Sequence, residues 1–200
     1  MASSIDAASV LSPRTAAAWR AWLRAHHACS SGIFLRIPKT SVKTADALTY
    51  ASAVEAALTW GWIDGQKRAL DATAWLQRFT PRGPRSGWSK INRAKAEALI
   101  AGGEMEAPGL VEIERAKADG RWARAYDGAR NATVPPDLAA ALARDAKARA
   151  FFEALDGANR YAILYRVQTA KLPETRARRI ETFVALCARH ETLHPPRKRR

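Results

Sequence analysis

The residues best suited to chemistry fall between Trp62 and Asn92. Trp62, Asp64 and Gln66 alternate along one run, and Arg78 and Thr80 along the next. Arg82, Trp88, Ser89 and Asn92 then lead into a helical stretch. Positions 67–95 carry Lys or Arg at 67, 68, 78, 82, 85, 90, 93 and 95, against a single acid, Asp71. Guanidinium forks and the free N–H groups of a helix start both suit phosphate or carboxylate. The segment therefore reads as a binding region for an anionic small molecule. Asp64 near Arg78 or Arg82 also has the makings of a general base with an oxyanion holder, the pattern of an enzyme. A structural reading stands beside both: Asp64 and Arg78 as a buried pair that fixes a hairpin, with the tryptophans as core.

A second set of cations opens the last helix. Arg176, Arg178 and Arg179 occupy its first two turns, where positive charge opposes the helix dipole by ~0.3–1 kcal/mol each. Glu174 and Glu181, or an external anion, would offset that. Together with Arg197 and Lys198 of the tail, these residues are the candidates for an anion or nucleic-acid contact. The last two helices, joined by Ala170-Lys171-Leu172, have the spacing of a helix-turn-helix, which many unrelated helix pairs share.

The signatures of common reactions are missing: there is no phosphate-binding glycine loop, no His-Glu-x-x-His, no Cys-x-x-Cys and no Gly-x-Ser-x-Gly. His190 and His194 lie four apart, but Pro195 follows at once and no third ligand accompanies them. No metal and no cofactor are expected.

The 200 residues are 48% hydrophobic and include seven tryptophans, enough for a real core. The net charge is +14, divided as +5 over 1–120 and +9 over 121–200. Potential of that size attracts nucleic acid, anionic lipid or acidic ligands, although an Ala- and Arg-rich composition produces it without selection for binding. Cys29 and Cys187 are expected to be reduced and buried. No stretch approaches the ~20 apolar residues of a membrane span, and no leader is visible. The cytoplasm is the expected location.

These residues require particular elements to position them. Trp19, Trp22, Leu23 and His26 lie at helical spacing over 14–27, with Ser12 or Thr15 as cap. Residues 1–12 read as frayed. Gly32 to Lys39 alternates as a strand, with Pro38 at its end or on an edge. Residues 41–48 read as a polar loop, and Thr49 caps a helix through Leu58 whose buried face is Tyr50, Val54, Ala57 and Leu58. A hairpin follows, with strands 62–70 and 74–80 around Asp71-Ala72-Thr73. Helices are expected from Ser89 to Ile100 and from Pro108 to Ala118. From Pro135 onward the pattern is helical throughout, ending with Ile180, Phe183, Val184 and Cys187 at i, i+3, i+4 and i+7.

The sum is an α+β fold: a small antiparallel sheet of about three strands packed by helices, followed by a C-terminal helical bundle. The division is expected as an N-terminal α+β region over 1–130 and a helical region with a basic tail over 131–200.

Several stretches carry a family resemblance: Gly61-Trp62-Ile63-Asp64-Gly65-Gln66, Arg78-Phe79-Thr80-Pro81-Arg82, and Trp88-Ser89 with Asn92. Ala118-Asp119-Gly120-Arg121-Trp122 with Ala125-Tyr126, Pro135-Pro136-Asp137-Leu138, and Pro173-Glu174-Thr175-Arg176 with Arg179-Ile180 complete the set. The chain resembles the YdeI/OmdA family, labelled bacteriocin-protection, YdeI or OmpD-associated. The likeness runs over nearly all of 14–194, with the named domain at about 135–192. It implies stress or envelope-defence roles and, by label, association with an outer-membrane porin. It supplies no catalytic residues. The leading expectation is a non-enzymatic binding protein, with nucleic-acid binding by the C-terminal helices and an enzyme built on Asp64 as the alternatives.

Overall fold

A computed structural model describes residues 10–42 and 46–195. The architecture is α+β, and the chain forms two compact units. The first comprises Met1–Trp88 with Asn92–Ala123, and the second Ser89–Ile91 with Arg124–Arg200.

The first unit is built on a four-stranded sheet in the order β1-β2-β4-β3: Val10–Leu11 (β1), Ile33–Pro38 (β2), Trp62–Ala69 (β3) and Ala74–Pro81 (β4). The three expected strands pair antiparallel. The fourth, β1, lies parallel to β2 and makes the sheet mixed. It arises from residues expected to fray: Val10 and Leu11 are a two-residue apolar pair, too short for a period to be read. Pro38 sits at the end of β2, where its missing N–H breaks no ladder.

One sheet face is covered by Ala16–His26 (α1) and Tyr50–Thr59 (α2). Leu35, Ile37, Phe79 and Trp62 form that face, and all are buried. Trp19 of α1 packs against Phe79 and Trp62 at ring separations of 5.6 and 6.3 Å. Both indole N–H groups find backbone acceptors, Trp19 on the Ala53 carbonyl and Trp62 on that of His27. Thr15 caps α1. Thr49 and Ser52 form a reciprocal capping box at the start of α2. The segment before α2 is less polar than its composition suggests: Leu48 is fully buried, and its N–H donates to the Arg14 carbonyl. Cys29 is a correction. Because α1 ends at His26, the thiol falls in the following turn and is exposed, whereas Cys187 is buried.

Lys90–Ala101 (α3) and Ala107–Ala118 (α4) follow, the former contributing its first two residues to the second unit. Gly109 of α4 sits where a Cβ would meet the Sδ of Met105 and would lie 2.5 and 2.9 Å from the carbonyl oxygens of Thr59 and Leu58. The close approach of α4 to the end of α2 depends on that missing atom.

The second unit is all helix: Pro136–Ala143 (α5), Ala146–Ala154 (α6), Gly157–Gln168 (α7) and Pro173–Ala188 (α8). Leu138, Leu142, Phe152, Ile163, Val167, Ile180, Phe183 and Cys187 are its buried core, as the spacing in α8 predicts. Asp145 and Asp156 cap α6 and α7. His190 takes a positive φ after α8 and stacks on Phe151, and the Asn159 side-chain amide holds both backbone groups of His194. The two histidines thus have separate structural settings.

Alanine at an exposed helical glycine ordinarily gains about 1 kcal/mol. At Gly109 the sign is expected to reverse, with a loss of about 1–3 kcal/mol from overpacking, measured by urea unfolding of Gly109→Ala. Arg176 offers a second test: its guanidinium grips both Asp137 carboxylate oxygens, at 2.6 and 2.8 Å, and the Val167 carbonyl. The half-exposed pair limits the effect, so Arg176→Ala is expected to cost about 1–2 kcal/mol at neutral pH. The Arg176 hydrogen bond holds the Asp137 carboxyl below its ordinary range. The stabilisation is therefore full above the unfolded value near 3.9 and fades as pH falls through the lowered one. Parent and variant should converge in acid.

Candidate functional site

The β3–β4 hairpin places Asp64 and Arg78 on opposite faces. Asp64 stands opposite Phe79, while Arg78 stands opposite Phe34 of β2. Adjacent residues of a strand point to opposite sides, so Asp64 shares the face of Phe79 and Arg78 does not. Neither the buried pair nor a base–oxyanion couple forms between them. The Asp64 carboxylate instead accepts the Tyr50 hydroxyl at 2.6 Å. That corrects Tyr50, which is 41% exposed rather than part of the buried face of α2.

A bulge between Asp64 and Lys67 shifts the register of β3. Gln77, a buried amide on β4, stabilises it by donating to the Gly65 carbonyl at 2.8 Å. Gln66 is exposed and accepts from Arg68. Thr80 is half-buried opposite Ile63, and Trp62 is enclosed in the aromatic core. The hairpin closes on Asp71, whose Oδ1 accepts the N–H and hydroxyl of Thr73 and the N–H of Ala74. The Thr73 hydroxyl, foremost, lowers the Asp71 carboxyl to about 2.

Past Pro81 the chain builds a denser cluster, all within the first unit. The Arg82 N–H donates to the Gly61 carbonyl, and its guanidinium carbon lies 3.7 Å from the Trp88 ring centroid. Its Nη1 donates to the Gly87 carbonyl at 3.2 Å. Gly83 and Ser86 close the intervening loop through two hydrogen bonds. From the turn after α4, Arg121 reaches the same loop. Its Nη1 donates to the Ser86 carbonyl at 2.8 Å, and its Nε contacts both oxygens of Asp119. Trp122 packs edge-on against Trp88 at 4.7 Å. Arg82, Arg121 and Trp88 are only 5%, 7% and 2% exposed. Two guanidiniums are thus buried at one loop, each donating to one of its carbonyls. Among the described residues, Arg121 Nη2 and Trp88 Nε1 are enclosed with no hydrogen-bond acceptor, which in a native interior calls for a reason.

Of the sequence candidates, the structure brings Arg82 and Trp88 together and leaves Asp64, Gln66 and Arg78 elsewhere on the hairpin. Asn92 begins the return of the chain to the first unit, half-buried. Ser89 belongs to the second unit, in a parallel bridge with Tyr126. Arg121 is a site residue that sequence reasoning misses. Its signal is the Asp-Gly turn before an Arg-Trp pair, which places a long cation beside an indole but does not say where either points.

The C-terminal candidates are largely committed within their own unit. Arg176 and Arg179 donate to the carbonyls of Val167 and Arg166, in the last turn of α7. Those carbonyls lie at the negative dipole end of the helix, where the regular ladder of N–H partners runs out. Cations unfavourable at the start of α8 are thereby favourable at the end of α7. Arg178 is exposed. Arg197 and Lys198 lie outside the described residues.

Two family models match this chain. The one described as a domain of unknown function (DUF8412) matches residues 11–112, just over half of the chain. The other, described as bacteriocin-protection, YdeI or OmpD-associated (OmdA), matches residues 131–190. The chain belongs to the DUF8412 family, with a YdeI/OmdA domain C-terminal to the matched region. The resemblance drawn from the motifs thus holds over 131–190, where the named domain covers α5 to α8, while the motifs at 61–66, 78–82 and 88–92 fall in the DUF8412 match. No curated protein and no solved structure matches the chain. Among the described residues, no helix is long and apolar enough to cross a membrane.

The turn at Asp71 gives a local test. Thr73→Val removes the hydroxyl donor and should raise the Asp71 titration from about 2 toward the ordinary value near 3.9. A carboxyl-resolved NMR titration reads the shift directly.

Proposed function

We propose that this DUF8412–OmdA protein is a non-catalytic binding protein of the bacteriocin-protection group, taking a small carboxylate- or phosphate-bearing molecule at the 82–88 loop. The observation that carries the reading is Arg121. Its buried guanidinium has one carboxylate partner, Asp119, and an Nη2 donor without an acceptor among the described residues. Leaving a buried charged donor unmet costs on the order of 1–3 kcal/mol or more. An incoming oxyanion would recover that. Arg82, stacked on Trp88, adds a second positive charge to the same corner. Arg85 stands exposed on the same loop. The glycines at 83 and 87 leave the loop room to open, and an anion oxygen would take the place of a loop carbonyl. An enzyme built on Asp64 draws no such support, because Arg78 points to the other face of the hairpin.

Phosphate, sulfate and citrate are the probes, titrated into the full chain by calorimetry and by thermal melting. A saturable rise in melting temperature is expected, worth about 2.7 kcal/mol at a hundredfold excess over Kd. Arg121→Lys keeps the charge but removes the fork, and should weaken binding roughly tenfold, or about 1.4 kcal/mol. Arg178→Ala, on the exposed side of α8, should leave it unchanged. No response to any probe at millimolar concentration, or equal weakening in both variants, would end the reading.

A further inference from the structure

The sheet face turned away from α1 and α2 is roofed by arginine. Strand register assigns Phe34 and Arg36 of β2, Leu76 and Arg78 of β4, and Arg68 of β3 to that side. Arg68 and Arg78 both lie over the Phe34 ring, with guanidinium carbons 5.2 Å from its centroid. Arg36 and Arg68 flank Leu76 in one row across three strands, about 10 Å apart by strand spacing, and Arg78 lies about 7 Å further along the strand direction. The result is a triangle of cations on one face of the sheet.

Two of these three charges lack an acidic partner among the described residues. Among the described residues Arg78 makes no side-chain hydrogen bond or ion pair, and its partner is the ring. Among the described residues Arg68 reaches only the neutral Gln66 amide besides Phe34. Arg36 holds the Thr73 hydroxyl and pairs with the Asp71 Oδ2 at 3.6 Å, so it keeps one acidic partner. All three are half-buried rather than waving in solvent, so holding them in place costs an incoming anion little further entropy.

We infer that this face docks the backbone of single-stranded nucleic acid. Three guanidiniums carried on neighbouring strands, at backbone positions about 7–10 Å apart, suit a chain of phosphodiesters, each accepting N–H bonds from a fork. With one side laid on Phe34, Arg68 and Arg78 can offer the other to a base, and guanidinium–base stacking tolerates any sequence. A duplex is read by a helix or ribbon entering a groove, and among the described residues this face is the sheet itself, with no helix on it. The site is separate from the 82–88 loop and stands or falls independently of it.

The test is fluorescence anisotropy of the full chain with a labelled oligothymidylate and with a duplex of the same length, across a salt series. The oligothymidylate should bind more tightly. Arg68→Gln with Arg78→Gln should weaken it roughly tenfold and flatten the salt dependence by about 0.7 for each phosphate no longer neutralised. A control of equal charge, Arg130→Gln with Arg149→Gln on exposed positions of the second unit, should change affinity less than about twofold. If melting shows that the double variant unfolds, Arg78→Lys and Arg36→Gln carry the test, each with an expected severalfold weakening. Equal weakening in site and control variants would assign the binding to diffuse charge and overturn the inference. So would preference for the duplex, or no binding at low salt.

Discussion

Trp19 is fully buried and still carries an N–H that an apolar interior cannot satisfy. The Ala53 carbonyl meets it from α2 at 3.1 Å, while the ring packs on Phe79 and Trp62 of the sheet. One side chain therefore fixes the distance from α1 to α2 and the seating of both on the sheet. Trp62 repeats the arrangement in reverse, packing into the same cluster and donating to His27 at the end of α1. Large aromatics bring most of the buried area, and their single polar atoms set the register of that burial. The hairpin, its bulge and the loop beyond it are all referred to this anchored face.

Arginine plays the complementary part. A chain of net charge +14 would be expected to hold its cations out in water, yet many of them close gaps in the backbone. Arg176 and Arg179 complete the end of α7, Arg166 returns to the Ala162 carbonyl of its own helix, and Arg82 and Arg121 hold the 82–88 loop through its carbonyls. Carbonyl acceptors neutralise no charge, however. Each such bond satisfies geometry while leaving the positive potential in place.

The legible part of the fold is periodic. Ile180, Phe183, Val184 and Cys187 announce α8, Thr49 announces the start of α2, and the alternation through Leu35 and Ile37 announces β2. Each is a local pattern with a local cause. What stays hidden depends on partners far away in sequence. The pairing of Val10 with Phe34 needs a strand already formed. The faces of Asp64 and Arg78 depend on how β3 registers against β4, and β4 against β2. Arg121 lies 35 residues from the carbonyl it holds. Arg176 and Arg179 look misplaced only when one helix is considered without its neighbour. The candidate site is thus legible as a basic, tryptophan-bearing stretch, but not as a grouping of particular donors.

Gly109 has a consequence for how such a sequence can change. Where α4 meets the end of α2, the neighbours of the missing Cβ are two backbone oxygens and the Met105 sulfur. A flexible side chain can yield to a newcomer, but a helix end cannot unless the segments on both sides shift together. Substitution there is contingent on prior change at Met105 and in the residues that end α2, so the order in which changes arrive matters as much as their identity. Position 109 should therefore behave as a historical hinge: constant while its surroundings are constant, and free to vary only in lineages that first moved α4 outward.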